Sequence, residues 1–312
     1  MDKHDIQRFV VEEPYLDISC SLGEAPFWDK ATGTLRFLDV NNGEIHIVHP
    51  ERGPSSHKVI KKLDYPIGHT ADIENDTRRL VYGGKAGFGI FDKETGVYEY
   101  IVKFWANDSD AARKDHVMRA NDGGVDSRGR YWLGVMNHPL IEAPGPVGTV
   151  FRLDPDLSLH KMIEGISIPN GVSWSKDEKT LFIADSSTHV ISAYDYDIET
   201  GNISNKRPFF DARDIGGGEP DGEAIDDEDH MWSAVYGTGK VIRISPAGKV
   251  VAEIQLPTPY ITCPAFVDDW LYVTSATEDP KGGPKLQGAL FRCKVGVKGI
   301  PIHKFKPSTS LS

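Results

Sequence analysis

Four side chains with hard oxygen donors, Glu24, Asn121, Asn170 and Asp221, fall at one recurring place in this 312-residue chain. Taken with His69 and Cys263, they follow one another at steps of 45, 52, 49, 51 and 42 residues. Two carboxylates brought together in a narrow space repel each other and lose hydration. At neutral pH one would take up a proton unless a cation lay between them. Two carboxylates and two amide oxygens suit a hard divalent ion: Ca²⁺, Mg²⁺ or Mn²⁺. The set has no thiolate pair, which argues against structural zinc. The same positions would also suit polar residues capping strand ends, and spacing alone leaves both readings open.

Convergence requires an element that repeats with the same period. Six copies of a three-strand pattern supply it. The copies centre on Ala25–Asp29, Leu35–Asp39 and Glu44–Val48, then Ala71–Ile73, Leu80–Gly83 and Phe88–Asp92, and continue to Phe266–Asp268, Leu271–Thr274 and Ala289–Arg292. Trp28, Ile73, Val125, Trp174, Ile225 and Val267 anchor the first strands, and the six candidate positions lie four residues before them. The strands alternate, are rich in β-branched and aromatic residues, and are joined by turns such as Asp29-Lys30-Ala31-Thr32-Gly33. A period of about 40–50 residues is that of propeller blades. Such blades bury their faces only by stacking around an axis. The chain is therefore expected to be all-β: a single six-bladed β-propeller over residues 1–312. Gln7–Val11 and the tail Ile302–Phe305 are expected to close the last blade.

Composition narrows the partners. The chain has 35 Lys and Arg against 46 Asp and Glu, a formal charge of −11, which argues against nucleic acid and is compatible with a bound cation. No run approaches the ~18 apolar residues of a membrane span. Met1-Asp2-Lys3-His4-Asp5 opens a charged segment without an apolar leader, and the three cysteines are widely spaced, so reduced thiols and a cytoplasmic location are expected. Gly83–Gly89 looks like a phosphate loop but lies between strands, and so reads as a blade turn. Asp226-Asp227-Glu228-Asp229 lacks the glycine and terminal glutamate of an EF-hand and reads as a solvated hairpin.

At this point the chain resembles the senescence marker protein-30/gluconolactonase/luciferin-regenerating enzyme family. The motifs are Gly23-Glu24-Ala25-Pro26-Phe27-Trp28, Arg119-Ala120-Asn121-Asp122-Gly123-Gly124, Ile168-Pro169-Asn170-Gly171-Val172 and Glu219-Pro220-Asp221-Gly222-Glu223. The resemblance implies a divalent metal at the channel mouth held by Glu24, Asn170 and Asp221, with Asn121 beside it as a metal or substrate ligand. It implies that Arg119 orients substrate and that Asp221 doubles as general base. Where mammalian members carry an acidic pair after the third blade's central strand, this chain has Met136-Asn137-His138-Pro139, so Asn137 and His138 are expected to read the substrate's far end. His69 either lines the pocket or is a hydrogen-bonded channel histidine, and Cys263 has no basic partner to activate it.

The expected activity is hydrolysis of a sugar lactone, an aldono-1,4- or 1,5-lactone, to its open acid. The cofactor would be one divalent ion, Ca²⁺ first, with Zn²⁺, Mn²⁺ or Mg²⁺ as alternatives. The alternatives in function are a calcium-binding regulatory protein and a promiscuous esterase or organophosphatase. The partner is a small molecule, with neither nucleic acid nor membrane involved.

Overall fold

The computed structural model describes residues 6–279, 281, 283, 285–308 and 311. Residues 1–5, on which the reading of a charged N-terminus rests, lie outside this set. Six sheets form a six-bladed β-propeller. Four blades have four strands in simple antiparallel order, beginning with Gly23–Asp29, His69–Ile73, Met118–Val125 and Pro169–Trp174. The fifth begins with Glu219–Ile225 and the sixth with Ile261–Val267. These first strands contact one another in succession around the ring and so line its axis. Their large apolar neighbours (Phe37, Tyr82, Tyr131, Trp132, Trp232 and Tyr272) are fully buried between blades.

Two buried aspartates lock the hairpins that follow inner strands. Asp126 accepts from Arg130 Nε at 2.7 Å and from Trp132 Nε1 at 3.4 Å. Asp226 accepts from Trp232 Nε1 at 2.9 Å and Arg243 Nε at 2.8 Å. Both are completely buried, so the Asp226 turn is no simple solvated hairpin: its first carboxylate is inside the blade. Gly83–Gly89 does join two strands of blade 2, as the sequence suggests.

Closure of the ring differs from expectation at both ends of the chain. The N-terminal strand, Gln7–Val10, pairs in parallel with Val250–Gln255 on the outer edge of blade 5, where Phe9 packs against Trp232. The last blade is met instead by the segment just after it, through the antiparallel Leu16–Leu290 bridge. With both outer edges occupied, the C-terminal tail takes a different route. Ile300 N donates to Ile225 O in blade 5, whereas Phe305 N donates to Asp72 O and Glu74 N donates to Phe305 O in blade 2. Blades 2 and 5 are opposite one another in a six-fold ring, so the tail crosses the axis at the C-terminal ends of the inner strands. Phe305 is fully buried there in the cluster that holds Ile73 and Val125. No helix among the described residues is long and apolar enough to span a membrane.

Truncating Phe305 to Ala should therefore cost about 3–5 kcal/mol, the usual range for emptying a buried aromatic site. Urea denaturation measures it, and a loss below about 1 kcal/mol would show that the crossing contributes little.

Candidate active site

Each inner strand delivers its candidate residue close to its N-terminal end, opposite the tail. In five of the six blades the pairing register slips at this place: between Glu24 and Phe27, Ala120 and Gly123, Asn170 and Val172, Pro220 and Glu223, and Ile261 and Pro264. A bulge adds one residue, bends the strand and re-aims the side chain beside it. The residues following Glu24 and Asn170 accordingly adopt left-handed backbone, Ala25 at φ 46° and Gly171 at φ 46°. Glycine adopts that conformation freely, whereas at Ala25 it is strained. Gly222 is needed for space, since a Cβ there would sit 2.3 Å from Cys263 Sγ.

Glu24, Asn170 and Asp221 are all nearly buried, at 8%, 6% and 7% exposure. Glu24 Oε2 accepts from the Ala25 amide at 2.9 Å, and Asp221 stands within hydrogen-bonding reach of the same carboxyl. Burial, reinforced by the Asp122 charge, pushes Glu24 up to about 8. Burial and the Glu24 and Asp122 charges push Asp221 well above the usual carboxylate range.

A relay fixes the third donor. Ser186 Oγ donates to Pro220 O at 2.6 Å, leaving its lone pairs to accept from Asn170 Nδ2 at 2.8 Å. The Asn170 amide is thus oriented by the network, with Oδ1 free to face the opposite way. There it accepts from Asn121 Nδ2 at 2.6 Å. Asn121 is itself turned so that its Oδ1 receives Arg119 Nη1 at 2.7 Å and its amide group also donates to Pro169 O at 2.9 Å. In this orientation Asn121 steadies Asn170, and its own oxygen is already taken.

The remaining expected residues separate. Arg119 is 3% exposed and close enough to Glu24 and Asp221 for their charges to act on it; burial lowers its pKa to about 10. His69 bonds Tyr131 Oη at 2.7 Å, and burial drives it down to about 3, so it is a neutral, hydrogen-bonded channel residue. Asn137 is turned to the loop beyond it, donating to Glu142 Oε1 and Ala143 O, both at 3.1 Å. His138 follows at the end of the same strand, with its backbone bonded to Val117 O at 2.7 Å. Cys263 is buried, and its thiol is pushed well up by burial and the surrounding carboxylates.

Sequence spacing missed three contributors. Ser186 lies in a turn after a middle strand, outside the repeat position, and nothing in its local sequence marks it. Asp122 accepts from the Gly123 and Gly171 amides at 2.7 and 2.9 Å, tying blade 3 to blade 4. Glu223 receives Ser173 Oγ, and burial pushes it to about 8. The last two sit inside the quoted motifs, next to the ring positions.

This geometry suits a hard cation. Two desolvated carboxylates destabilise each other, and the amide oxygen beside them has been oriented by a dedicated relay. No group of three His, Cys, Asp or Glu side chains among the described residues is placed to hold a metal. Hollows at the outer edge of blade 2 (Arg79, Ile90, Asp92) and beside Trp270 gather no comparable set.

Comparison with known proteins identifies the family. The model of the SMP-30/Gluconolactonase/LRE-like region matches residues 22–277. The chain belongs to this family. It is 34% identical to regucalcin of Xenopus laevis over 95% of this chain and 97% of that protein. A Bacillus subtilis relative, provisionally named a sugar lactone lactonase, is 31% identical over 84% of this chain and 86% of its own length. The solved structure of a calcium-binding protein, regucalcin, from Agrobacterium tumefaciens superposes with a TM-score of 0.84 at 26% identity, covering 96% and 99% of the two chains.

The raised carboxyls give the metal-free protein a signature. Between the ordinary 4.5 and about 8, folded Glu24 retains a proton that the unfolded chain has released. Stability without metal therefore falls as pH rises through that window. Above pH 6.5 the buried His69 is neutral both folded and unfolded and no longer opposes the trend. In chelator, the thermal midpoint of the wild type should drop from pH 6.5 to 8, that of Glu24→Gln should drop less, and added Ca²⁺ should restore the wild type only. Parallel profiles for the two proteins would contradict this account of the site.

Proposed function

We propose that this chain is a lactonase that opens an aldono-1,4- or 1,5-lactone to the corresponding acid, with one divalent cation held by Glu24, Asp221 and the Asn170 amide oxygen. The observation that carries the reading is the pair of nearly buried carboxylates beside a relay-oriented amide, at the open end of the channel and next to a buried arginine. Membership of a family of gluconolactonase- and regucalcin-like proteins supports it. A divalent ion bound there would supply Lewis-acid polarisation of the lactone carbonyl and counter-charge for the oxyanion.

The protein's own groups account for the remaining chemistry. A water oxygen forms the new bond to the carbonyl carbon while Asp221 takes its proton. The ring C–O bond then breaks, and that proton returns to the departing alkoxide. A carboxylate whose proton affinity has been raised by burial is a strong base once ionised, and general-base help of this kind is worth ~10²–10⁴ in rate. Arg119 donates to the substrate and holds it against the attacking water, which makes the step nearly intramolecular. Asn121 keeps Asn170 in place, and Glu24 contributes charge but no proton transfer.

Lactone hydrolysis by Asp221→Ala should fall by at least ~10²-fold, the lower end for a lost general base. Treatment with a chelator should abolish turnover in the wild type, and readdition of Ca²⁺, Mn²⁺ or Zn²⁺ should recover it. Full activity after chelation would overturn the reading. Tight Ca²⁺ binding with no turnover of any lactone would favour a calcium-binding role of the kind named for the Agrobacterium protein.

A further inference from the structure

Arg119 uses only one corner of its guanidinium within the protein. Nη1 donates to Ala120 O at 2.8 Å and to Asn121 Oδ1. Nε is buried without a partner, and the side chain forms no ion pair with any described carboxylate. Nε and Nη2 together are the edge that grips a carboxylate or phosphate with two parallel hydrogen bonds. A nearly buried cation with that edge unsatisfied is costly to keep unless a ligand completes it.

A second cation lies in the turn that adjoins its strand. Lys85 sits half-buried in the glycine-rich turn of blade 2, with no hydrogen bond or ion pair from its side chain. The turn is fastened to Arg119's own strand, because Ala120 N donates to Gly84 O at 3.1 Å. His138 lies where the two charges overlap, since Arg119 is paired in register with Met136, two residues before it. Its imidazole is lowered to about 4 by burial and by the Arg119 and Lys85 charges, so it is neutral at physiological pH and adds a hydrogen-bonding group without further charge. Of the neighbouring acids, Glu24 and Asp221 belong to the cation site proposed above, Asp122 accepts from two backbone amides, and Glu142 binds Arg113 and Asn137.

We propose that the substrate carries an anionic group, a carboxylate or a phosphate, remote from its lactone carbonyl, and that the Nε–Nη2 edge of Arg119 and the Lys85 ammonium receive it. The favoured substrates are then acidic sugar lactones rather than neutral ones. This rests on the lactonase reading and narrows its substrate class.

Matched lactones test it on the Ca²⁺-loaded protein. D-glucaro-1,4-lactone and D-glucono-1,4-lactone differ only in a carboxylate against a hydroxymethyl group at the far carbon; 6-phospho-D-glucono-1,5-lactone and D-glucono-1,5-lactone make the phosphate pair. In at least one pair kcat/KM should favour the acidic member by ten-fold or more. Lys85→Gln should shrink that ratio by about ten-fold, and added salt should shrink it further. The pair that discriminates identifies the anion. Equal or better turnover of the neutral members would overturn the proposal and leave the lactonase reading intact. Hydrolysis of none of the four would count against the lactonase reading itself, and calorimetry with glucarate against neutral glucitol then decides the anion subsite separately. Glucarate binding that weakens in Lys85→Gln would uphold the subsite, and indifference to glucarate or to the substitution would end it.

Discussion

The structure is organised around the cost of holding Glu24 and Asp221 side by side out of water. Each carboxylate is nearly buried, burial raises the proton affinity of both, the Glu24 charge raises that of Asp221 further, and Asp122 adds to both. A single blade could not impose this. The penalty is met by six blades packed through Trp, Tyr and Phe side chains, which fix the inner strands rigidly enough that the carboxyls cannot drift apart. The fold supplies rigidity, and the carboxylates use it to create a place where positive charge is strongly favoured.

Rigid strands alone would point these side chains in alternation, half toward the axis and half into the blade. The bulges change that. By inserting one residue at the same level in five blades, they turn donors from different blades toward a common height, and the strained backbone at Ala25 shows that this aim is maintained against local preference. Hydrogen bonds then set orientation within that height: Ser186 decides which end of the Asn170 amide faces inward, and Arg119 decides the same for Asn121. Ser186 reaches Asn170 from a turn beyond the neighbouring strand, whereas Arg119 lies on Asn121's own strand two residues before it.

Much of this was legible in the residues. Periodic apolar segments marked the inner, middle and third strands of all six blades, and the position four residues before each anchor led to Glu24, Asn170 and Asp221. The outer strands, such as Lys58–Lys62 and Tyr98–Lys103, are harder to see in the sequence because none of their residues is fully buried and they carry no firm alternation. Ser186 reaches the site from a turn whose neighbours are set by the order of blades, and no local pattern encodes that. The ends of the chain misled for a related reason. Gln7–Val10 and Ile302–Phe305 both look like edge strands, but which edge is vacant is decided by the rest of the ring. The loop contact of Asn137 was equally hidden, because its Nδ2 donates to Glu142 and Ala143 in the segment after its strand, while its Oδ1 is left unpartnered.

The tail that crosses from blade 5 to blade 2 turns what would be a tunnel into a blind cup. Whatever small molecule reaches the carboxylates enters by one opening and departs by the same one. Traffic is therefore single-file: if the proposed hydrolysis takes place there, a departing acid obstructs the next arriving ester, and competition by the end product follows from where residues 300–306 lie.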